Sequence, residues 1–390
     1  MAEEMTSRER VFAALNHEQS DRVPIDFGGN QSSIHVKVYE KLRNFLNLEE
    51  EDIKFSEIGQ HIAAISEDVL QRFHADVRYV RPDSAYIDAK HPDLQVEGSY
   101  IGYYDQFGVF WGNDASKELD DILYLDPVIH PLASAASVQD IDAYPWPNGS
   151  DPSKMQGVEE VARHLHEDTQ YAVSTGTIGN LFEYCTFLFG FVQTLKLVRK
   201  KPEIILRTSE HLLDYYKAYN TMFLGKVGKY LDIICINGDL AEQSGPIFNP
   251  AFYEQHIMPL DKGLVEHVKS LANVKINYHC CGSVPLFIPH WITAGFDAIN
   301  PVQVSAHDME PCSLKARFGK DIAFWGGLCD TQGVLPFGTP AQVRDAVKKN
   351  VNCFKPGGGY IAANVHNITA EVPPENIVAM FDAAYEFGTY

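Results

Sequence analysis

The sequence predicts an α/β fold: a single (β/α)8 TIM barrel over residues 1–390, with a loop or hairpin insertion after the second strand. Three observations lead to this prediction. Short β-branched or aromatic runs alternate with longer stretches of helical period, there are eight such runs, and no G-x-G-x-x-G motif follows the first one. The missing motif disfavours a doubly wound open sheet, which is the structural alternative.

Each predicted strand is bounded by Gly, Pro or Asp, which are depleted inside strands. In chain order the strands are "VPIDFG" (23–28), "VRYVRP" (77–82), "YAVSTG" (171–176), "DIICIN" (232–237), "KINYHC" (275–280), "DAINPV" (297–302), "IAFWGG" (322–327) and "YIAANV" (360–365). Several of the helices predicted between them begin with Pro or an acidic residue, and they lie at 37–47, 66–74, 154–166, 203–227, 251–272, 340–353 and 374–387.

One segment, at about 83–150, interrupts the regular alternation. It contains a hairpin-like stretch, "LQVEGSYIGYYDQFGVFW", and a Pro-rich stretch, "AYPWPNGSDP". In a barrel, a long segment of this kind is an insertion near the mouth rather than a second core. We therefore expect one domain that carries this insertion.

Composition narrows the class of protein. A formal net charge of −20 disfavours a nucleic-acid surface, which relies on clustered Lys and Arg. The apolar runs are far shorter than the roughly 20 residues of a membrane helix, and the charged N-terminus lacks an apolar signal core. We expect a cytoplasmic protein without a membrane span. Seven irregularly spaced cysteines predict reduced thiols rather than a disulfide framework.

The stretch "NYHCCGSVP" (277–285) carries the main chemical signal. Side chains alternate along a strand, so His279 and Cys281 share one face and Cys280 takes the other. Neutral imidazole and thiolate suit zinc. Cys329 ends the seventh run and His366 ends the eighth, which makes them further candidate ligands of a site with three protein ligands. A buried core thiol and a polar loop histidine are the respective alternatives.

Polar residues after other strands are candidates for catalysis and substrate binding. Asp239 and Glu183 are the catalytic candidates, because an acidic side chain beside a metal acts as a general acid or orients a ligand. Helix capping is their alternative role. The substrate-binding candidates are polar side chains of the predicted rim, namely Asp26, Gln31, Asn180, Asn300, Gln303 and Gln332.

Several stretches resemble the uroporphyrinogen decarboxylase superfamily: "RERVFAALNHEQSDRVPIDFGG", "YHCCGSV", and nearly the whole C-terminal third, including "GGGYIAANVHNITAEVPPENI". The resemblance implies a single (β/α)8 barrel. Its H-x-C-G element is typical of the corrinoid-dependent methyltransferases, in which the His and Cys bind zinc with a ligand from a later strand end. His279 and Cys281 match this element. Methylcobalamin:coenzyme M methyltransferases place a Cys after the last strand, where this chain has His366, and Cys329 is the other candidate.

The resemblance implies a zinc-dependent methyltransferase whose partner is a separate corrinoid (cobalamin-binding) protein. The expected methyl donor is a small molecule, an aryl methyl ether, so the expected reaction is O-demethylation. The alternatives are a methylcobalamin:thiol methyltransferase, a uroporphyrinogen-type decarboxylase and a non-catalytic binding barrel. Uroporphyrinogen decarboxylases carry an Arg-rich element after the first strand to hold substrate carboxylates. This chain has "DFGGNQSSIH" there, which disfavours decarboxylation.

Overall fold

The computed structural model describes residues 5–29, 31–90 and 92–390 of the chain. A parallel sheet of seven strands forms its centre, and the strands pair in chain order. They are β1 (Val77–Val80), β2 (Ala172–Asn180), β3 (Ile233–Asn237), β4 (Lys275–His279), β5 (Ala298–Asn300), β6 (Ala323–Gly327) and β7 (Tyr360–Ala363). All seven lie within or overlap the predicted runs. The α/β prediction is therefore confirmed.

The remaining predicted strand, 23–28, is present only as bridges of one residue. Ile25 pairs in parallel with Ala75, just before β1, and with Ala362 in β7. The Ala362 N–H donates to the carbonyl oxygen of Pro24 at 2.8 Å. Pro24 has no N–H of its own, so it cannot continue a strand ladder. The fold is barrel-like, and this segment lies between the two edge strands of the sheet.

Helices connect the strands and cover the sheet. They are Ser7–Leu15, Val36–Phe45, Glu67–Arg72, Val138–Asp142, Val158–Glu167, Glu183–Phe189, Phe191–Lys200, Pro202–Val227, Pro250–Phe252, Met258–Leu271, Ile288–Ala294, Pro311–Phe318, Val334–Phe337, Pro340–Phe354 and Pro374–Gly388. The helix predicted at 251–272 is divided by a π-helical stretch, Tyr253–Ile257. Pro259 follows this stretch and lacks the N–H of a regular helical turn, which accounts for the irregular hydrogen bonding.

Local sequence signals explain the helix boundaries, as Pro340–Phe354 illustrates. Its N-cap is Thr339, whose hydroxyl accepts from the Gln342 N–H, and the Gln342 side chain accepts in return from the Thr339 N–H. Pro340 occupies the first helical turn, where a missing N–H costs nothing. Apolar residues at helical spacing then face the core, namely Val343, Val347, Val351 and Phe354.

The N-terminal helix Ser7–Leu15 packs at the start of the sheet strands. Its Val11, Ala14 and Leu15 form a separate core cluster with the first residues of the strands, among them Val77, Ala172, Ile233, Ala298 and Ala323. The fully buried Asp76 accepts hydrogen bonds from the guanidinium groups of Arg10 and Arg22, each at 2.7 Å. This end of the sheet is therefore filled by packed side chains. In barrel enzymes the catalytic groups lie at the opposite, carboxyl ends of the strands.

Residues 83–150 contain a four-stranded antiparallel sheet. Its strands, in order, are Gln95–Glu97, Tyr100–Tyr104, Phe110–Asp114 and Asp126–Ile129. The Tyr184 hydroxyl, on the helix after β2, donates to Asp105 in this segment at 2.6 Å. Shorter strands lie at Lys54–Glu57, Ile62–Ala63, Ile87–Asp88, Ala241–Glu242 and Gly245–Pro246. Two statements stay predictions: residues 83–150 are an insertion, and the chain is one domain.

The prediction that all cysteines are reduced is wrong for Cys312 and Cys353, which form a disulfide. Helices Pro311–Phe318 and Pro340–Phe354 pack side by side and bring the two thiols together across 41 residues of sequence. Spacing alone does not show such a pairing. Over the described residues, no helix combines the length and apolar character needed to cross a bilayer.

Candidate metal centre

The end of β4 places His279 and Cys281 on the same side of the chain. The distance from Cys281 Sγ to His279 Nε2 is 3.6 Å. Cys280 points the other way into the core, where its sulfur accepts from the Leu240 N–H at 3.2 Å. The alternation expected of an extended strand is thus present through Cys281, although β4 itself ends at His279.

Gly282 explains why a glycine follows the two cysteines. Its φ is +88°, in the region that only glycine adopts readily. A Cβ there would lie 2.7 Å from the carbonyl carbon of Ala241 and 2.7 Å from the carbonyl oxygen of Glu242. A side chain at this position would push the turn away from the neighbouring chain and displace Cys281.

His366 completes a group of three ligand-type side chains. It follows β7 in the chain, and its ring centroid lies 5.5 Å from that of His279. One ligand atom each from His279, Cys281 and His366 can be chosen so that all three lie within 4.8 Å of one another. His366 has a φ of +63°, which a non-glycine residue rarely adopts. Such conformations concentrate at functional sites, where the surrounding structure holds them.

Burial sets the protonation of this group. It lowers the pKa of His279 to about 4, and burial together with the neighbouring His279 lowers the pKa of His366 to about 4. Both imidazoles are therefore neutral at pH 7, the form that binds metals. Burial, and next the Asp239 carboxyl, raise the pKa of the Cys281 thiol well above its usual value. A divalent cation reverses this trend, because it stabilises the thiolate.

Cys329 does not belong to this group. Its side chain is fully buried in the hydrophobic core, and its sulfur contacts the Asp330 carbonyl oxygen at 3.8 Å. Burial raises the pKa of its thiol to about 12. Of the four ligands predicted from the sequence, the structure brings His279, Cys281 and His366 together and leaves Cys329 in the core.

Asp239 and Glu183 lie beside the metal-binding group. Asp239 Oδ1 accepts from the Cys281 N–H at 2.7 Å. Glu183 Oε2 accepts from the Asn180 amide at 2.7 Å, while Asn180 Oδ1 accepts from the Tyr184 N–H at 3.0 Å. Burial, followed by the charge of Asp239, raises the pKa of Glu183 to about 8, so its carboxyl holds a proton at neutral pH. Asn180 therefore holds the first turn of the helix Glu183–Phe189 and orients Glu183.

Asp26 is fully buried between β1 and β6. Its Oδ2 atom accepts from Ser32 at 2.6 Å, from Tyr79 at 3.0 Å and from the Trp325 indole at 2.9 Å. Burial raises the pKa of this carboxyl. Asp26 lines a cavity of about 10 Å³, roughly the space of one water, which also touches Gln31. Gln31 and Asn300, two other predicted substrate residues that line this cavity, also make hydrogen bonds within the protein.

Several amide side chains that were predicted to bind substrate make hydrogen bonds within the protein. Gln31 donates to Thr177 Oγ1 at 2.8 Å and to Asn237 Oδ1 at 3.1 Å. Asn300 Oδ1 accepts from His279 Nδ1 at 2.6 Å, and Gln303 Oε1 accepts from the Gly282 N–H at 2.7 Å. Gln332 is exposed in the loop after β6. Binding of substrate by these residues stays a prediction.

A uroporphyrinogen decarboxylase (URO-D) family model matches residues 125–387 of the chain. The chain belongs to the URO-D family. This confirms the resemblance drawn from the sequence. Over 98% of its length it is similar in structure to 99% of a methyltransferase from Methanosarcina mazei, at 15% identity and a TM-score of 0.67, which shows a shared fold. No curated protein sequence matches it.

A second solved structure, described as a putative fructose-1,6-biphosphate aldolase from Coccidioides immitis, is similar at 13% identity and a TM-score of 0.25. The match covers 59% of this chain and 85% of that one.

A cavity of about 360 Å³ in this URO-D protein lies between helix Val36–Phe45 and strand Lys54–Glu57. None of His279, Cys281 and His366 lines this cavity.

Tyr124 and Glu57 of this URO-D protein were not among the candidates predicted from the sequence. Burial, then the charges of Glu57 and Cys281, raise the pKa of the Tyr124 hydroxyl, with Asp239 contributing more weakly. Tyr124 is therefore within electrostatic reach of Cys281, and Glu57 is within electrostatic reach of Tyr124. Glu57 accepts from the N–H groups of Gly59 and Gln60 at 2.6 and 2.8 Å. Both lie far from β4 in sequence, and no local pattern marks them.

Proposed function

We propose that this URO-D family member is a zinc-dependent methyltransferase that moves a methyl group from a small methylated substrate to the cobalt of a corrinoid protein. The observation that carries the proposal is the meeting of His279, Cys281 and His366 at the carboxyl ends of the strands. Barrel enzymes hold their catalytic groups at these strand ends. The methyltransferase fold of the structural neighbour supports the reaction class.

The three donors fit zinc. Two neutral imidazoles and one thiolate form a nitrogen and sulfur set that a borderline-soft cation prefers. Three protein ligands also leave one position open for a substrate heteroatom. When bound, the metal supplies Lewis acidity to that heteroatom and lowers the basicity of the leaving group. Because Cys329 lies in the core, we propose His366 as the third ligand.

Two carboxyl groups, those of Glu183 and Asp239, have separate roles in the proposed reaction. The Glu183 carboxyl carries a proton at neutral pH. It is therefore the candidate proton donor to the ether oxygen, the leaving group from which the methyl group is transferred. Asn180 fixes the orientation of Glu183 through the 2.7 Å hydrogen bond to Oε2. Asp239 holds the backbone of Cys281 and thus the position of its sulfur.

We propose an aryl methyl ether as the substrate, bound in a complete (β/α)8 barrel whose eighth strand is the segment around Ile25. The exposed Tyr124 ring, which is within electrostatic reach of Cys281, suits an aromatic ligand. Exposed Gln332 and half-buried Gln31 are the amides we assign to substrate. A corrinoid is too large to be enclosed by the barrel, so we propose that a partner protein presents it at the mouth.

Methyl transfer to free cob(I)alamin tests this function. The zinc-loaded protein is mixed with methoxybenzenes, methanol, methylamines or methylthiols, and the absorbance change of the corrinoid is followed. We expect turnover with a methoxybenzene, loss of turnover in Cys281→Ala, and retention in Cys280→Ala, whose thiol faces the core. Turnover only with methylthiols would reassign the substrate. Decarboxylation of a porphyrinogen by metal-free protein would overturn the proposal.

A further inference from the structure

We infer that Asn300 and Gln303 are positioning residues of the metal centre, and that segment 300–303 sets the affinity of this chain for zinc. The inference rests on the proposed function, because it assumes that His279 and Cys281 bind metal. The sequence alone suggested that both amides bind substrate. Asn300 instead bonds to the ligand residue His279, and Gln303 bonds to Gly282, which follows the ligand residue Cys281.

Asn300 fixes the ring of His279. Its side-chain nitrogen donates to the Trp325 carbonyl oxygen at 3.2 Å, which determines the orientation of the amide. The Oδ1 atom then faces His279 Nδ1 at 2.6 Å and can only accept. His279 therefore carries its proton on Nδ1, and the lone pair of Nε2 is free to face Cys281. Ligand histidines in metalloproteins are commonly held by such an acceptor.

The same segment holds the backbone that follows His279. The Cys280 N–H donates to the Asn300 carbonyl oxygen at 2.8 Å, and the Gly282 N–H donates to Gln303 Oε1 at 2.7 Å. The Cys281 N–H between them is bound by Asp239. Three consecutive amides therefore have fixed partners, two of them from segment 300–303, and the Cys281 sulfur has little freedom to move away from His279.

Burial supports a positioning role over a substrate-binding role. Asn300 is 4% exposed and Gln303 is 8% exposed, so neither presents a free face to a ligand. Val302, between them, has a φ of +55°, which a β-branched residue adopts only when its surroundings impose it. Loss of a partner of this kind in other metal sites weakens metal binding about 10- to 100-fold.

Zinc affinity, measured by competition with a chromophoric chelator under reducing conditions, tests the inference without any methyl transfer. Asn300→Leu and Gln303→Leu remove the acceptor oxygens, and we expect each to raise the zinc Kd about 10- to 100-fold. Gln303→Glu keeps an acceptor oxygen that faces the Gly282 N–H, and we expect it to bind zinc nearly as tightly as the wild type.

Asn350→Leu is the matched control, because Asn350 is also a buried amide but donates only to the carbonyl oxygens of Gly327 and Leu328. We expect its zinc Kd to be unchanged. Equal zinc Kd values for the wild type and Gln303→Leu, or for the wild type and a folded Asn300→Leu, would overturn the inference. Gln303→Leu keeps the test open if Asn300→Leu does not fold. A wild type that binds no zinc would instead remove the proposed function.

The His279 proton gives an independent readout. Long-range ¹H–¹⁵N spectra of the metal-free protein should show His279 protonated on Nδ1 in the wild type and in Gln303→Leu. In Asn300→Leu, a proportion of the Nε2–H form should appear, since the acceptor that selects the tautomer is gone. A purely structural role for Asn300 would leave the tautomer as it is in the wild type, and that result would contradict the inference.

Discussion

The sulfur of Cys281 lies 3.6 Å from Nε2 of His279, and His366 approaches the same point from the end of β7. Two strand ends that are distant in the sequence therefore converge on one small volume. The side chains are two imidazoles and a thiol, and the nearest acidic group, Asp239, binds the Cys281 backbone. Several consequences of this arrangement can be measured.

Zinc binding by variants of His366 and Cys329 shows which of the two residues is the third ligand. We expect His366→Ala to weaken zinc binding by at least about tenfold, since it removes one of three donors. Cys329→Ala should leave the zinc Kd unchanged, because the core packs around its sulfur. Chelator competition on both variants decides the matter. Unchanged affinity in His366→Ala with weakened affinity in Cys329→Ala would require a different ligand set.

Glu183 should act in the reaction and leave metal binding alone. Glu183→Gln keeps the size of the side chain but removes the acidic proton, so we expect a loss of about 10²- to 10⁴-fold in kcat with zinc content unchanged. Glu160→Gln, on an exposed helix surface, serves as the control. A Glu183→Gln variant with wild-type turnover would exclude this residue as the proton donor.

The buried ion pairs of Asp76 should dominate the stability of the N-terminal region. Asp76→Asn leaves Arg10 and Arg22 without their buried carboxylate, so we expect a loss of about 3 to 5 kcal/mol in the free energy of unfolding. Asp382→Asn breaks the exposed pair with Arg72 and should cost about 0 to 1 kcal/mol. Urea unfolding compares the two, and similar losses would count against this ranking.

Acid should destabilise the protein partly through His61. Burial, with a smaller effect of Lys37, lowers its pKa to about 4. In the unfolded chain this histidine has a pKa of about 6.5, so between pH 6.5 and pH 4 the unfolded state binds a proton that the folded state does not. The free energy of unfolding therefore falls as the pH falls through this range.

Between pH 7 and pH 5, we expect the free energy of unfolding to fall by about 2 kcal/mol less in His61→Phe than in the wild type. The measurement is urea unfolding at both values. The exposed His164→Phe variant should lose as much as the wild type. Parallel losses in all three proteins would show that His61 is not the source of the pH dependence.

Much of the sheet could be predicted because its signals are local. Strands such as β3 and β4 are short apolar runs bounded by turn residues, and the alternation along β4 correctly separates Cys281 from Cys280. The strand predicted around Ile25 was wrong as a continuous strand, because Pro24 interrupts its hydrogen bonding.

The rest depends on contacts between distant parts of the chain. The choice between His366 and Cys329 follows from the path of the loop after β7, which composition does not encode. The roles of Asn300 and Gln303 depend on which atoms their amides face, and sequence shows only that amides are present. The pairing of Cys312 with Cys353 likewise follows from helix packing.

Zinc content after metal loading and desalting tests the central claim most directly, measured on the wild type, Cys281→Ala and Cys280→Ala in parallel. The two substitutions remove neighbouring thiols of opposite orientation. We predict about one zinc per chain in the wild type and in Cys280→Ala, and a large loss in Cys281→Ala. Equal zinc in all three proteins, or none in the wild type, would contradict the account.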